Sequence, residues 1–324
     1  MWWLELSRRG WKRSGGRGFI TVIGVLNVLK PPGMTSHDVV DWLRHLTGEK
    51  KVGHAGTLDP DACGVMVLLV GKATRAAQFL VAEDKEYRAE VVFGVKTDTL
   101  DLSGQVLACQ DASRLTPEAV AEVLPRFTGS IWQKPPMFSA VRHKGKRLYE
   151  LARAGREVEV PPRQVEVYSL QLLKGDWGKR HPRAWLHVHC SKGTYVRSLV
   201  ADLGEALGTG ACLGFLLRTR VGRFGIEEAY TLEELAGLKG EGKLTQALIP
   251  LAEALGYLPA IEVGEEGAKR IKNGGFLSPA HCLAGEWPPQ GTHVRVMGAG
   301  ELLALALAES LPSGRKILRP VWVL

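Results

Sequence analysis

This sequence predicts a globular chain that mixes β-strands with α-helices in about two domains, and three observations carry that reading. Apolar residues make up 45% of the chain and charged residues 23%, a balance that excludes disorder, collagen and coiled coil. Apolar positions alternate at period two in some segments and recur at helical spacing in others. The 324 residues exceed the ~150 of an average domain about twofold, enough to bury a sizeable core. No uncharged run approaches the ~20 apolar residues of a membrane-spanning helix, so no membrane partner is expected.

In chain order, residues 1–20 carry Arg8, Arg9, Lys12, Arg13 and Arg17 against Glu5, with scattered tryptophans and no apolar stretch ahead of a cleavage site. They read as a flexible basic extension and not as a leader. Thr21 to Leu29 alternates as a strand, which Lys30-Pro31-Pro32-Gly33 stops. Thr35-Ser36-His37-Asp38 has the form of a capping box ahead of Val39, Val40, Leu43 and Leu46, with Gly48 closing that helix. Lys51 to Gly64 is rich in turn formers; Val65 to Val70 is an apolar strand, and Lys72 to Ala82 reads as helix. Strands follow at Lys85 to Phe93 and Gln105 to Cys109, then a helix capped by Thr116 with Pro117 in its first position.

From Gly129 a short strand leads into a basic insertion. Between Lys134 and Arg156 there are seven Lys or Arg against one Glu, and a helix runs to Ala154. Strands near Gln164 to Leu172 and Ala184 to Cys190, a helix opening near Thr194, a strand around Leu216 to Phe224 and short helices near Leu232 and Leu248 complete the first unit. A boundary falls around Leu251 to Pro259, beyond which short runs are cut by Gly and Pro. Ala299 to Ala308 stays open between strand, for its alternation, and helix, for its composition.

Lys plus Arg exceeds Asp plus Glu by 42 − 34 = 8, which points to an anionic partner such as nucleic acid. Five cysteines, at 63, 109, 190, 212 and 282, are odd in number and form no C-x-x-C pair. That pattern supports neither a disulfide framework nor a zinc ribbon and fits a reducing cytoplasm. Gly71-Lys72 fails as a phosphate loop, with Met66 where the first glycine belongs and Ala73 where the hydroxyl belongs. Gly208 to Gly214 is one residue too long for a dinucleotide fingerprint and follows a helix. His187 and His189 share a strand face without a nearby acidic or cysteine partner, so no metal is expected there.

Gly53-His54-Ala55-Gly56-Thr57-Leu58-Asp59-Pro60 concentrates an imidazole, a carboxylate and two glycines between regular elements. From the residues alone two accounts stand. Asp59 before Pro60 is a common turn former. Equally, glycines let backbone approach a ligand while the restricted residue before a proline aims its carboxylate. His54 reads either as a buried, hydrogen-bonded histidine or as a ligand contact.

Taken together, Gly24-Val-Leu-Asn-Val-Leu-Lys30-Pro-Pro-Gly33-Met-Thr35-Ser36, Gly53 to Pro60, Gly64-Val65, Lys85-Glu-Tyr87, Gly94 to Asp101, Pro135-Pro136 with Ser139-Ala140 and Gly145, Leu148 to Arg153, and Gly193-Thr194-Tyr195-Val196-Arg197 closely resemble the TruB family of bacterial tRNA pseudouridine-55 synthases. The match runs in order from about residue 24 to about 250. The C-terminal part resembles a small RNA-binding PUA barrel through Arg270 to Gly275 and Gly300 to Leu303 alone.

The resemblance implies an α+β fold: a mixed, largely antiparallel sheet with flanking helices and a central RNA-binding cleft, plus a small C-terminal PUA-like β-barrel. Domains would be the extension at 1–20, a catalytic unit at 21–253 with a thumb-like insertion at about 134–156, and the PUA-like unit at 256–324. It implies isomerisation of a uridine in the T-loop of tRNA without cofactor, metal or guide RNA, by a monomer acting on the T-arm stem-loop.

By the family's motifs Asp59 is the essential carboxylate, adding to the base or the sugar or taking a proton from C2′; these routes stay open. Tyr87 matches the aromatic that stacks on the target base, and the match also implies a part for its hydroxyl in removing the C5 proton. Arg197 matches the arginine that pairs with the carboxylate. Leu217 aligns with an apolar pocket residue, His54 with the histidine that holds the opened T-loop, and Lys30, Gly56 and Thr57 stand in the substrate-binding motifs. Lys144, Lys146 and Arg147 sit in the thumb-like insertion. Phe138 departs from the family's usual Tyr before Ser139, removing one hydroxyl. A tRNA-folding chaperone with incidental catalysis, and a guide-dependent relative, are the alternatives.

Overall fold

The computed structural model describes residues 23–139, 141–156 and 158–324. The basic extension expected at 1–20, and Thr21 and Val22 of the expected first strand, lie outside the described residues. The chain opens with β1 (Gly24–Lys30), which the Pro31-Pro32 pair ends by removing two backbone donors. Helix α1 (Ser36–Thr47) starts where the Thr35 hydroxyl accepts from the Asp38 N–H at 3.1 Å and the Asp38 carboxylate accepts from the Thr35 N–H at 2.8 Å. It ends at Gly48, whose φ of 75° suits a residue without Cβ. Val39, Val40, Leu43 and Leu46 face β1 and β3 (Cys63–Val70) in one apolar cluster.

Between α1 and β3 lies the short β2 (Val52–His54), hidden in the sequence among turn formers. Beyond β3 the expected helix at 72–82 is split. Gly71–Ala76 winds as a 3-10 helix, with the Thr74 hydroxyl donating to the Gly71 carbonyl at 2.8 Å, before α2 (Ala77–Val81). Then come β4 (Lys85–Phe93), the hairpin of β5 (Val95–Thr97) and β6 (Val106–Cys109), and α3 (Pro117–Val123) capped by Thr116. After β7 (Gly129–Gln133), the basic insertion forms a two-stranded hairpin, β8 (Arg142–His143) and β9 (Lys146–Arg147). Positive φ at Lys144 and Gly145 turns it, the geometry of a two-residue hairpin loop. Helix α4 (Leu148–Arg153), β10 (Arg163–Asp176), β11 (Arg183–Cys190), α5 (Val196–Ala206), β12 (Ala211–Val221), β13 (Phe224–Gly225), α6 (Leu232–Gly240) and α7 (Leu251–Ala254) follow.

The main sheet has the order β1-β3-β12-β4-β11-β10-β7, with β2 on β3 and β13 on β12. Every pairing in it is antiparallel except β3 with β12, which run parallel through Cys63 beside Leu217 and Gly64 beside Arg218. The sheet is therefore mixed. One face of β4, β11 and β12 is apolar and packs on α5, through Ala89, Val91, Leu186, Val188, Leu199 and Leu203 among others.

A second sheet has the order β15-β14-β16-β17-β18, built from β14 (Ala260–Val263), β15 (Cys282–Ala284), β16 (His293–Gly298), β17 (Glu301–Ser310) and β18 (Lys316–Val323), with helix α8 (Glu265–Lys272) after β14. Among the described residues no ladder joins β15 to β18, so the sheet is open where a closed barrel was expected. The ambiguous stretch from 299 is a strand whose two faces are both buried. Leu303, Ala304, Ala306 and Ala308 enter the second sheet's own core, while Leu302 and Leu305 join Trp322 against Val25, Val67, Leu69 and Leu255 of the first unit.

Gly64 is the tightest point of the main sheet. A Cβ there would lie 2.1 Å from the Arg218 carbonyl oxygen, on a backbone with φ of 113°. Gly64→Ala should therefore destabilise the protein by about 3 kcal/mol or more, read as a lowered melting temperature; an unchanged melt contradicts the close approach.

Candidate active site

The loop from Gly53 to Pro60 leaves β2 and is gathered by side chains from other elements. Ser36, in the first turn of α1, donates its hydroxyl to the Leu58 carbonyl at 2.9 Å and accepts from the Leu58 N–H at 2.8 Å. The Lys30 ammonium, wholly buried, donates to the carbonyls of Pro31, Pro60 and Ala62 at 3.0, 2.9 and 2.6 Å. From β12, Arg218 donates through Nε to Val65, Nη1 to Thr57 and Nη2 to Gly56, at 2.7, 3.3 and 3.2 Å. Gly56 has a φ of 107°, which puts its carbonyl within this arginine's reach.

Held this way, Asp59 turns its carboxylate to Arg197. Arg197 Nε lies 2.9 Å from Oδ2 and Nη2 3.2 Å from Oδ1, a two-point contact. Arg197 is buried in the first turn of α5, and donates further to the Thr99 carbonyl at 3.0 Å and the Phe138 carbonyl at 2.8 Å. A second carboxylate, Asp101, stands 3.7 Å from Nη1, braced by the Thr99 hydroxyl at 2.7 Å. Burial pushes the Asp59 carboxyl above the usual carboxylate range, while the Arg197 charge pulls it back down.

Tyr87 stands on β4 directly across from Arg218 on β12. The two residues, with Lys85, Leu216, Asp59 and Arg197, line one cavity of about 260 Å³ that Gly56, Thr57 and Tyr195 also border. That volume suits one flipped nucleoside better than a large ligand. Burial pushes the Tyr87 phenol up to about 12, so it is a neutral hydroxyl at ordinary pH.

The other sequence-predicted residues are placed differently. Leu216, not Leu217, lines the cavity: Leu217 faces the opposite side of the sheet, in a depression with Arg88, Leu173, Lys174 and Trp185. Register shifts between Leu213 and Phe215 and between Arg218 and Arg220 make β12 irregular, and a one-residue error exchanges faces. Lys30 does not border the cavity; its ammonium is spent on loop carbonyls, and burial lowers it to about 8. His54 ends β2 behind the loop, half-buried, with burial and the nearby Arg218 charge favouring its neutral form. Lys144, Lys146 and Arg147 are exposed on the β8–β9 hairpin, away from the cavity wall. Phe138 reaches the site through its carbonyl alone, so a missing side-chain hydroxyl leaves that bond to Arg197 intact.

Asp101 and Lys85 stood in the quoted motifs without a role and Arg218 stood outside them, and nothing in their spacing alone separates them from strand and turn residues. One expectation is overturned on the reverse face. His189 is paired with Asp84, and Glu86 lies across from it in register, so acids are near. Both acids are also held by Arg220, and among the described residues no metal-binding group forms.

A family profile described as TruB family pseudouridylate synthase, N-terminal domain, matches residues 44–196, and one described as tRNA pseudouridylate synthase B C-terminal domain matches residues 197–256. The chain is 47% identical over 305 residues to tRNA pseudouridine synthase B of Pelotomaculum thermopropionicum, covering 93% of this chain and 96% of that protein. It is 54% identical over 259 residues to the protein of that name from Symbiobacterium thermophilum, covering 80% and 84%. Among solved structures, a chain of a Cbf5-Nop10-Gar1 complex superposes with a TM-score of 0.72 at 28% identity, covering 97% of this chain and 90% of that one.

The ion pair gives a signed pH test. An ionised Asp59 is present above its pKa and lost as pH falls through it. Arg197→Met removes the charge that lowers that pKa, so the acid limb of the pH–rate profile should move to higher pH; a limb that stays in place or moves down contradicts the pairing.

Proposed function

The chain belongs to the TruB family and isomerises uridine to pseudouridine in tRNA, and from that premise we propose that it acts on the T-loop uridine at position 55, unguided, through Asp59. The observation that carries this is the Asp59 carboxylate, aimed by the buried Arg197 at 2.9 Å into a cavity with Tyr87 in its wall.

A uridine stacked in a folded T-loop cannot reach such a cavity. It is flipped out, at a cost of a few kcal/mol, offset by phosphate contacts and by stacking on Tyr87. Asp59 then adds to the base or the sugar, or takes the C2′ proton; each role needs an ionised, oriented carboxylate. The glycosidic bond at N1 breaks, the uracil turns within the cavity, and C5 joins the sugar. The Tyr87 hydroxyl is assigned to assist loss of the C5 proton.

Binding is assigned to the exposed cations of the β8–β9 hairpin, Lys144, Lys146 and Arg147. Their link to the site supports a clamp: the Tyr149 N–H donates to the Ser139 carbonyl at 3.1 Å, and Ser139 borders the cavity. The open C-terminal sheet is proposed as a PUA-like RNA-binding unit. We assign the protein to the cytoplasm as a monomer; no helix among the described residues is long and apolar enough to cross a membrane.

Two outcomes test this reading. Asp59→Asn should abolish pseudouridine formation in an unmodified tRNA transcript, mapped chemically because the mass does not change, while tRNA binding persists; wild-type protein that binds without isomerising overturns it. Replacing Lys144, Lys146 and Arg147 should weaken binding and flatten its salt dependence by roughly 0.7 to 0.9 log units per lost phosphate contact; an unchanged slope counts against the clamp.

A further inference from the structure

Two cations in the cavity wall have no part in the chemistry given to Asp59, Arg197 and Tyr87. Arg218 is 1% exposed. Its hydrogen bonds run to the carbonyls of Val65, Thr57 and Gly56 and to the Tyr87 side chain, and among the described residues it forms no ion pair. Lys85 is 6% exposed; its ammonium donates to the carbonyls of Val81, at 2.8 Å, and Glu83. A buried charge without a counter-charge is costly, by several kcal/mol. Loop carbonyls offset part of that cost, but neutral side chains would avoid it altogether. Both cations border the same cavity as Asp59, on neighbouring strands β4 and β12.

We propose that Lys85 and Arg218 form an anion-holding floor, which keeps the detached uracil in the pocket by charge while it turns. This rests on the isomerase reading above. Where Asp59 adds to C1′ of the sugar or takes the C2′ proton, the electron pair of the broken C1′–N1 bond goes to the uracil ring, spread over N1, O2 and O4. The same pair then makes the bond from C5 to C1′. The C5 proton leaves and N1 gains one, so no atom is gained or lost. Uridine carries no such charge before cleavage, so the cations favour the cleaved state over the bound substrate.

Titration of Lys85 supplies the handle. Burial lowers its ammonium to about 8, with the Arg218 charge acting in the same sense and Cys190, Glu83 and Asp84 opposing. It is charged below that pH and neutral above it.

Arg218 also staples the loop, so Lys85 carries the test. Single-turnover rates and tRNA affinity are measured for the wild type, Lys85→Met and Lys85→Arg from pH 6 to about 10, with thermal melts beside them. Lys85→Met should slow isomerisation about 10²-fold with affinity nearly unchanged, at temperatures where the melts show it fully folded. The wild-type rate should fall as pH rises through about 8, and Lys85→Arg, whose charge persists, should lose that fall. A Lys85→Met rate within about twofold of wild type, or the same alkaline fall in Lys85→Arg, overturns the floor. Wild-type protein that binds tRNA without isomerising it would instead overturn the isomerase reading itself.

Discussion

The carbonyls of Gly56, Thr57, Leu58, Pro60 and Ala62 find their partners in side chains of distant strands and of α1. A loop of this kind has too few ladder bonds to hold itself, and each buried carbonyl left bare costs about 1–3 kcal/mol. Arg218, Ser36 and Lys30 meet that demand from three directions, and Asp59 stands in the middle of the run they fix. The direction of its carboxylate is therefore set by the fold and not by the two or three residues around it.

The same constraint explains an apparent excess of positive charge. Arg197 is matched by Asp59 and Asp101, whereas Lys30 and Arg218 are held chiefly by peptide dipoles. Dipoles can solvate a guanidinium or ammonium without neutralising it. The region around the cavity thus keeps a positive potential in a water-poor setting, where charge acts more strongly than at the surface.

Much of this was legible in the sequence where local chemistry decides the outcome. The Thr35 to Asp38 capping box, the Thr116-Pro117 helix start and the nine-residue strand Lys85–Phe93 all stand where their patterns put them. Legibility failed where tertiary contacts decide. β2 has three residues and exists because β3 offers it an edge. The Leu-Ala run of β17 stayed ambiguous because both of its faces are covered, so no polar side marks it as a strand. Leu217 was placed by resemblance alone, and in a strand of apolar neighbours only the three-dimensional contacts show that Leu216 is the one facing the cavity. Arg218 could not be picked out at all, since a buried arginine and a solvated one look alike in a strand of mixed residues.

The two-faced burial of β17 also bears on how the protein is made. Leu302, Leu305 and Trp322 complete an apolar surface whose other half, Val25, Val65, Val67 and Leu69, is translated more than two hundred residues earlier. During synthesis that half must wait, sticky and uncovered, until β17 and β18 have left the ribosome. The covering of that face is thereby a late event, and in the interval the nascent chain exposes the kind of greasy surface that chaperones shield.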